Sequence, residues 1–304
     1  MTATVAPANT PATPPVANAR SERAQARRET LGLLLSKKSF VVGLVILAFW
    51  LACAILAMFS VPFTPYDPFN GFDLTGEFPA PPSAEHLFGS DRLGRDVLSR
   101  VLYGARDVFL VAPPAALIGI ALGTLIGLIT GFYRGIVDDV ISRIVEAFLS
   151  LPVIMVALLA LVVLGPSPLV VIGVVGILFT PIVARTVRSA VLAERQLDYV
   201  TAARLRGESG PFIMMREIFP NILGPIVVEL TVRFGYAIFT VATLSFLGVG
   251  IQPPSPDWGL SVSQEYSNMI GGVWWPTVFP ALAIATTVIA VNLIADALQS
   301  VIGE

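Results

Sequence analysis

Residues 147–184 form a run of 38 positions without a single Asp, Glu, Lys or Arg. In a soluble domain about a quarter of residues are charged, so no ordinary folded surface can be laid over such a stretch. One membrane crossing needs about 20 apolar residues. The run is too long for one crossing and too short for three. Its Gly165-Pro166-Ser167-Pro168 cluster interrupts any continuous helix. The run therefore reads as two spanning helices joined by a tight turn.

Four further runs follow the same logic. Residues 40–61 are 22 uncharged positions, about 33 Å of helix at ~1.5 Å per residue. Residues 108–133 come next, bounded by Asp107 and Arg134, and residues 222–251 and 276–302 complete a set of six. Composition agrees, with 55% hydrophobic and 13% charged residues and a mean hydropathy of +0.79. The expected fold class is an all-α polytopic membrane protein with six transmembrane helices. Its parts are a disordered, basic tail at 1–36, a first transmembrane helix at 37–61, an external segment at 62–107, and a core at 108–304. The Ala-, Pro- and Thr-rich first 19 residues lack charge and periodicity and cannot offset their ordering entropy. They are not a signal peptide, because the apolar run begins only at Phe40.

Basic residues set the direction. Arg20, Arg23, Arg27, Arg28, Lys37 and Lys38 precede the first span, and Arg185, Arg188, Arg195, Arg204, Arg206 and Arg216 lie between the fourth and fifth. An even number of crossings separates the two groups. Both then lie on one side, and the bias of Lys and Arg toward the cytoplasm makes it the inner side. Both termini are expected there.

Few residues suggest chemistry. His86 is the only histidine, with no partners at metal-ligand spacing, and reads as a loop residue. Cys53 is the only cysteine and reads as lipid-facing or packed. No basic domain exists for nucleic acid, and no GxxxxGK[ST] loop exists to cradle a nucleotide phosphate. Neither a cofactor nor a metal is expected on this chain, and any ATP hydrolysis must take place on a partner.

Inside the spans, Gly119, Gly123, Gly127 and Gly131 repeat every four residues and form one helical stripe. Such a stripe predicts close packing of another helix. Glu229 and Arg233 stand at i and i+4 in the fifth span, where they can pair on one face. Intramembrane charges face a bundle interior or a watery cavity, so this pair is a candidate for the translocation path. Glu146, Asn292 and Asp296 lie shallow and read as anchors. Trp258, Trp274 and Trp275 near span ends are expected at the membrane interface. The 252–256 run, Gln-Pro-Pro-Ser-Pro, is expected to be a rigid external loop.

Residues 198–221, DYVTAARLRGESGPFIMMREIFPN, are a charged insertion between apolar runs. A helix is expected to start at Asp198 and stop at Gly207. A second is expected to start at Pro211 and end near Pro220. Two short helices between spans suit a docking element for another protein.

This segment resembles the cytoplasmic motif of permease subunits of ATP-binding-cassette importers. That motif is usually written Glu-Ala-Ala, three residues, Gly, nine residues, Ile-x-Leu-Pro. Here Ala202-Ala203, Gly207 and Glu217-Ile218-Phe219-Pro220 keep the spacing, with Thr201, Glu217 and Phe219 as departures. PPSAEHLFGSDRLGRDVLSRVLYGAR at 81–106 and SFLGVGIQPPSPDWG at 245–259 resemble the C-type subunit of oligopeptide and dipeptide permeases. The resemblance runs from about Lys37 to the C-terminus.

It implies a type I importer permease fold in a bacterial inner membrane, with coupling helices in a loop at 194–220. It also implies a homologous second permease, two ATPase subunits or domains carrying ATP and Mg, an external binding protein, a peptide substrate and surrounding lipid. ATPase docking would fall on Asp198, Tyr199, Thr201, Ala202, Ala203, Arg206, Gly207 and Pro220. Ala202 and Ala203 are expected to sit close to a groove on one face with Tyr199 and Arg206. Nickel and glutathione systems share these motifs and remain open as cargoes. An ion-gradient transporter would require inverted repeats, which are not seen.

Overall fold

The structure is a computed structural model that describes residues 31–60, 62–69 and 79–302. Positions 1–30, 61, 70–78 and 303–304 lie outside the described residues, including most of the expected tail. Five helices are long and apolar enough to cross a membrane: α1 (Lys38–Met58), α2 (Val97–Phe132), α5 (Pro168–Glu194), α7 (Leu223–Phe246) and α9 (Trp275–Ile302). Between α2 and α5 lie α3 (Ile136–Leu149) and α4 (Val153–Leu164), which pass the same test only together and are bent by 86°. The shorter α6 (Asp198–Leu205) and α8 (Trp258–Glu265) lie in the connections. No strand occurs among the described residues.

α2 and α5 make the most extensive helix contact. The glycine stripe explains it. A Cβ built on Gly119 would lie 2.9 Å from the Phe179 Cβ; on Gly123, Gly127 and Gly131 it would lie 2.5, 2.7 and 2.6 Å from the Cβ atoms of Val183, Val187 and Val191. Only bare glycine lets the backbones approach this closely. Both sets of residues advance by four in the same direction, so α2 and α5 run parallel. The chain must therefore return between them, from the end of α2 to the start of α5, and α3 with α4 is that return path.

The third span was expected as one helix from residue 147, and the structure corrects this. A helix already begins at Ile136 and breaks at 150–152, because Pro152 disfavours helical geometry in the residue before it. α4 alone is about 18 Å long at ~1.5 Å per residue. α2 also begins 11 residues before the expected 108. Asp96 caps it by accepting from the Ser99 N–H at 2.7 Å. Arg100, inside the helix, donates to the carbonyls of Pro68 at 2.9 Å and Ser255 at 3.2 Å.

α1 and α9 run antiparallel. Lys37 donates to Ser300 at one end, the Trp50 indole donates to Thr286 at 3.3 Å, and Gly43 abuts Ala290. This gathers Lys37, the end of α9 and the 198–221 segment at one end of the bundle. At the opposite end, the 81–106 and 245–259 segments form one packed unit. A Cβ on Gly104 would strike the Pro256 carbonyl, and the Trp258 indole donates to the Val101 carbonyl at 2.8 Å.

The tryptophans therefore depart from expectation. Trp258 is 0% exposed, and Trp275 is buried and donates to the Ser90 carbonyl at 3.0 Å. Only Trp274, 47% exposed, suits an interfacial ring. Cys53 is packed in the core. His86 is a turn residue, its Nδ1 2.9 Å from an Asp96 carboxylate oxygen. No group of three metal-ligating side chains occurs among the described residues.

Candidate functional site

The charged segment begins where α5 ends. Helix α6 starts at Asp198, whose carboxylate in the first turn and Arg204 in the last both suit the helix dipole. Its stop is a complete left-handed turn. The Gly207 N–H donates to Arg204 at 2.9 Å, the Glu208 N–H donates to Ala203 at 3.2 Å, and Gly207 takes φ +78°. This pattern satisfies the carbonyls that a helix end leaves open, and it requires a residue free to adopt positive φ.

The second piece begins at Gly210, one residue before the expected Pro211. It passes through a π-helical turn, Ile213–Ile218, into Phe219–Asn221. It ends at Asn221, one residue past Pro220 and so near the expected end, and after a turn at Ile222 the chain continues into α7.

Side-chain directions split the expected docking set. Asp198, Thr201, Ala202, Arg206, Gly207 and Pro220 are exposed, and Leu205 is 85% exposed. Ala203 is not: it is 0% exposed and belongs to a cluster with Val187, Val191, Val200, Ile213 and Ile218. Adjacent helical residues point about 100° apart, so Ala202 and Ala203 cannot share one face as expected. Ala203 instead holds α6 against α5 and the segment leading into α7.

Tyr199 completes this joint. Its hydroxyl donates to Glu194 at 2.6 Å and accepts from the Asn221 amide at 3.0 Å, linking the end of α5 to the approach of α7. Burial, reinforced by the bond to Glu194, pushes the phenol up to about 12. Glu194 and Asn221 were not singled out from sequence; the only signal was their position flanking the segment. Arg206 lies 3.5 Å from Glu217 and 3.7 Å from Glu208. The departure at Glu217 is thus used within the chain, in an exposed and weak pair.

Glu229 and Arg233 come together as their spacing predicts. Arg233 Nε donates to Glu229 Oε1 at 2.7 Å, both side chains are 12% exposed, and the guanidinium lies 5.0 Å from the Tyr236 ring centre. Tyr236 and Phe239 stand exposed farther along α7. A second ion pair was missed: Arg188 of α5 grips Asp138 of α3 with two bonds of 2.7 Å. Its members are 50 positions apart, so no local spacing announces it. Beside it, Glu146, Arg185, Thr130 and Ser150 line a cavity of about 430 Å³. Glu146 is thus part of a cavity wall, and Asp296 is exposed on α9.

Residues 123–303 match the family described as binding-protein-dependent transport system inner membrane component. Over 269 residues the chain is 39% identical to a putative peptide transport system permease protein of Brucella suis, covering 88% of each chain. It is 41% identical over 272 residues to the dipeptide transport system permease protein DppC of Escherichia coli K12, covering 86% of this chain and 87% of that protein. The glutathione transport system permease protein GsiD of Escherichia coli O1:K1 is 39% identical over 245 residues, covering 81% and 80%.

Proposed function

The chain belongs to the family of binding-protein-dependent transport system inner membrane components, and from that premise we propose that it is the C-type permease subunit of an ATP-driven peptide importer. In this reading an external binding protein delivers a dipeptide or oligopeptide, and the chain and a homologous second permease together form the path. ATP and Mg are held by two partner ATPase subunits or domains. The chain crosses a bacterial inner membrane six times, with α3 and α4 making the third crossing and both termini inside. Glutathione is itself a small peptide, and the similarity to its permease makes it the second cargo to test.

The observation that carries the proposal is the joint around α6. One apolar cluster contains Val187 and Val191 of α5, Val200 and Ala203 of α6, Ile213 and Ile218 beyond it, and Ile226 of α7. Close packing of this kind transmits displacement rather than absorbing it. A push on the exposed Thr201–Ala202–Leu205 surface therefore moves α5 and α7 together, which is what coupling to an external motor requires. Glu229 and Arg233 ride on α7 and line or gate the path. In the assembled importer, a cysteine replacing Ala202 should crosslink to the ATPase and one replacing Ala203 should not. Crosslinking at neither position, with the complex intact, would contradict the assignment.

A further inference from the structure

Three arginines converge at the inner end of α2 and α5. Arg134 follows α2, Arg195 follows α5, and Arg204 lies in the last turn of α6. With Phe132, Tyr133 and Glu208 they line an open cavity of about 490 Å³. The parallel packing of α2 and α5 puts Arg134 and Arg195 at the same level, just past the spanning helices. Two of the guanidiniums share one aromatic ring: Arg195 lies 6.0 Å and Arg204 5.3 Å from the centre of Phe132.

Among the described residues, none of the three arginines forms an ion pair. The one acid in the wall, Glu208, already faces Arg206 at 3.7 Å. Arg195 Nη1 is buried without a hydrogen-bond partner. Burial, then repulsion from Arg204 and Arg134, pushes the Arg195 guanidinium below its usual range. Three like charges around one cavity, with a donor left over, make a site that an anion would complete.

The surroundings indicate which anion. Ile136 and Val137, two and three residues after Arg134, are 82% and 45% exposed. They open an apolar row along α3 that continues through Val140, Ile144 and Phe148. Cationic donors beside such a row match the boundary where a phosphate headgroup lies above acyl chains. We propose that Arg134, Arg195 and Arg204 bind a phosphate group, presented by an anionic phospholipid of the inner leaflet. The phosphate site rests on the geometry at the bundle end, and its assignment to the inner leaflet rests on the proposed orientation.

The test uses the intact complex in nanodiscs containing phosphatidylcholine with a minority of phosphatidylglycerol. Native mass spectrometry counts retained lipid for wild type, R195Q/R204Q and the charge-preserving R195K/R204K. Phosphatidylglycerol retention should fall at least about tenfold in the glutamine variant, which removes two of the three charge-assisted donors. The lysine variant should keep most of it, while thermal unfolding shows all three folded. Competition by inorganic phosphate, without lipid enrichment, would keep the site and assign its source to free phosphate. Equal lipid retention by wild type and the glutamine variant, with no effect of phosphate, would overturn the proposal. So would loss of the ATPase as the only defect, because the arginines would then serve a protein carboxylate.

Discussion

Gly127 of α2 meets Val187 of α5 so closely that a methyl on the glycine would lie 2.7 Å from the valine Cβ and 2.8 Å from the Ala184 carbonyl. The second obstacle is backbone and cannot rotate away. Gly127→Ala should therefore destabilise the chain by about 1–3 kcal/mol through overpacking. Gly173→Ala, in α5 with nothing within 4 Å of the added methyl, should be neutral or stabilising by about 0.5–1 kcal/mol. Melting of the two purified variants in detergent checks the contrast, and equal losses would remove the packing account.

Gly207 is constrained differently. Nothing lies within 4 Å of a built Cβ, so only its φ of +78° penalises a side chain. Gly207→Val should cost about 1–2 kcal/mol locally, and Gly207→Asn less. The valine variant should also lower peptide uptake more than it lowers ATP hydrolysis, because α6 would no longer end in its docking geometry. Uptake and hydrolysis measured on the same proteoliposomes provide the check; proportional losses of both would indicate misassembly instead.

Arg233→Ala strands the Glu229 carboxylate within α7. Removing one partner of a fully buried pair costs about 3–5 kcal/mol, and this pair, with both side chains 12% exposed, should lose less. Removing both, as Glu229→Ala/Arg233→Ala, should recover much of that stability and, if the pair lines the path as proposed, leave uptake impaired. Co-elution with the ATPases reports assembly, and radiolabelled peptide uptake reports the path. Wild-type uptake by either variant would exclude a role in the path.

Asp257 supplies a pH dependence. It caps α8 by accepting from the Leu260 N–H at 2.9 Å, it is 0% exposed, and its second oxygen has no partner. Burial, with Asp107 nearby, pushes its carboxyl from 3.8 up to about 7. The folded state therefore holds a proton that the unfolded chain releases near 3.8. Stability should fall as pH rises between these values, by at most about 1.4 kcal/mol per pH unit, and level off above the upper one. Asp257→Asn keeps a capping side chain and should flatten that profile. Thermal melts of both proteins across this range decide it, and parallel profiles would assign the pH dependence elsewhere.

The parts legible in sequence were those governed by local rules. Gly207 stops α6 because φ is a property of one residue, and Glu229 pairs with Arg233 because four residues make about one turn. The glycine stripe announced a packed helix, although not that its partner was the valine ladder at 183, 187 and 191. What escaped depended on distant partners. The second span was expected to start only after Asp107, because the acceptors that let Arg100 lie inside α2, Pro68 and Ser255, are 32 and 155 positions away from it. Trp258 looked interfacial because its burial depends on Val101 and Gly104. Ala203 was assigned outward because its covering residues, Ile213 and Ile218, lie in the next helical piece. The 86° bend was readable at Pro152, but the absence of charge from 147 onward masked it.

The proposed importer requires α6 to receive mechanical work from a separate ATPase. Proteoliposomes containing this chain, the second permease, both ATPases and the binding protein should accumulate labelled dipeptide only when ATP and Mg reach the ATPase side. Ala202→Trp, which fills the proposed docking face without disturbing the Ala203 joint, should abolish accumulation while the purified ATPases still hydrolyse ATP. Accumulation by this chain without the ATPases, or undiminished accumulation by the Ala202→Trp complex, would contradict the account.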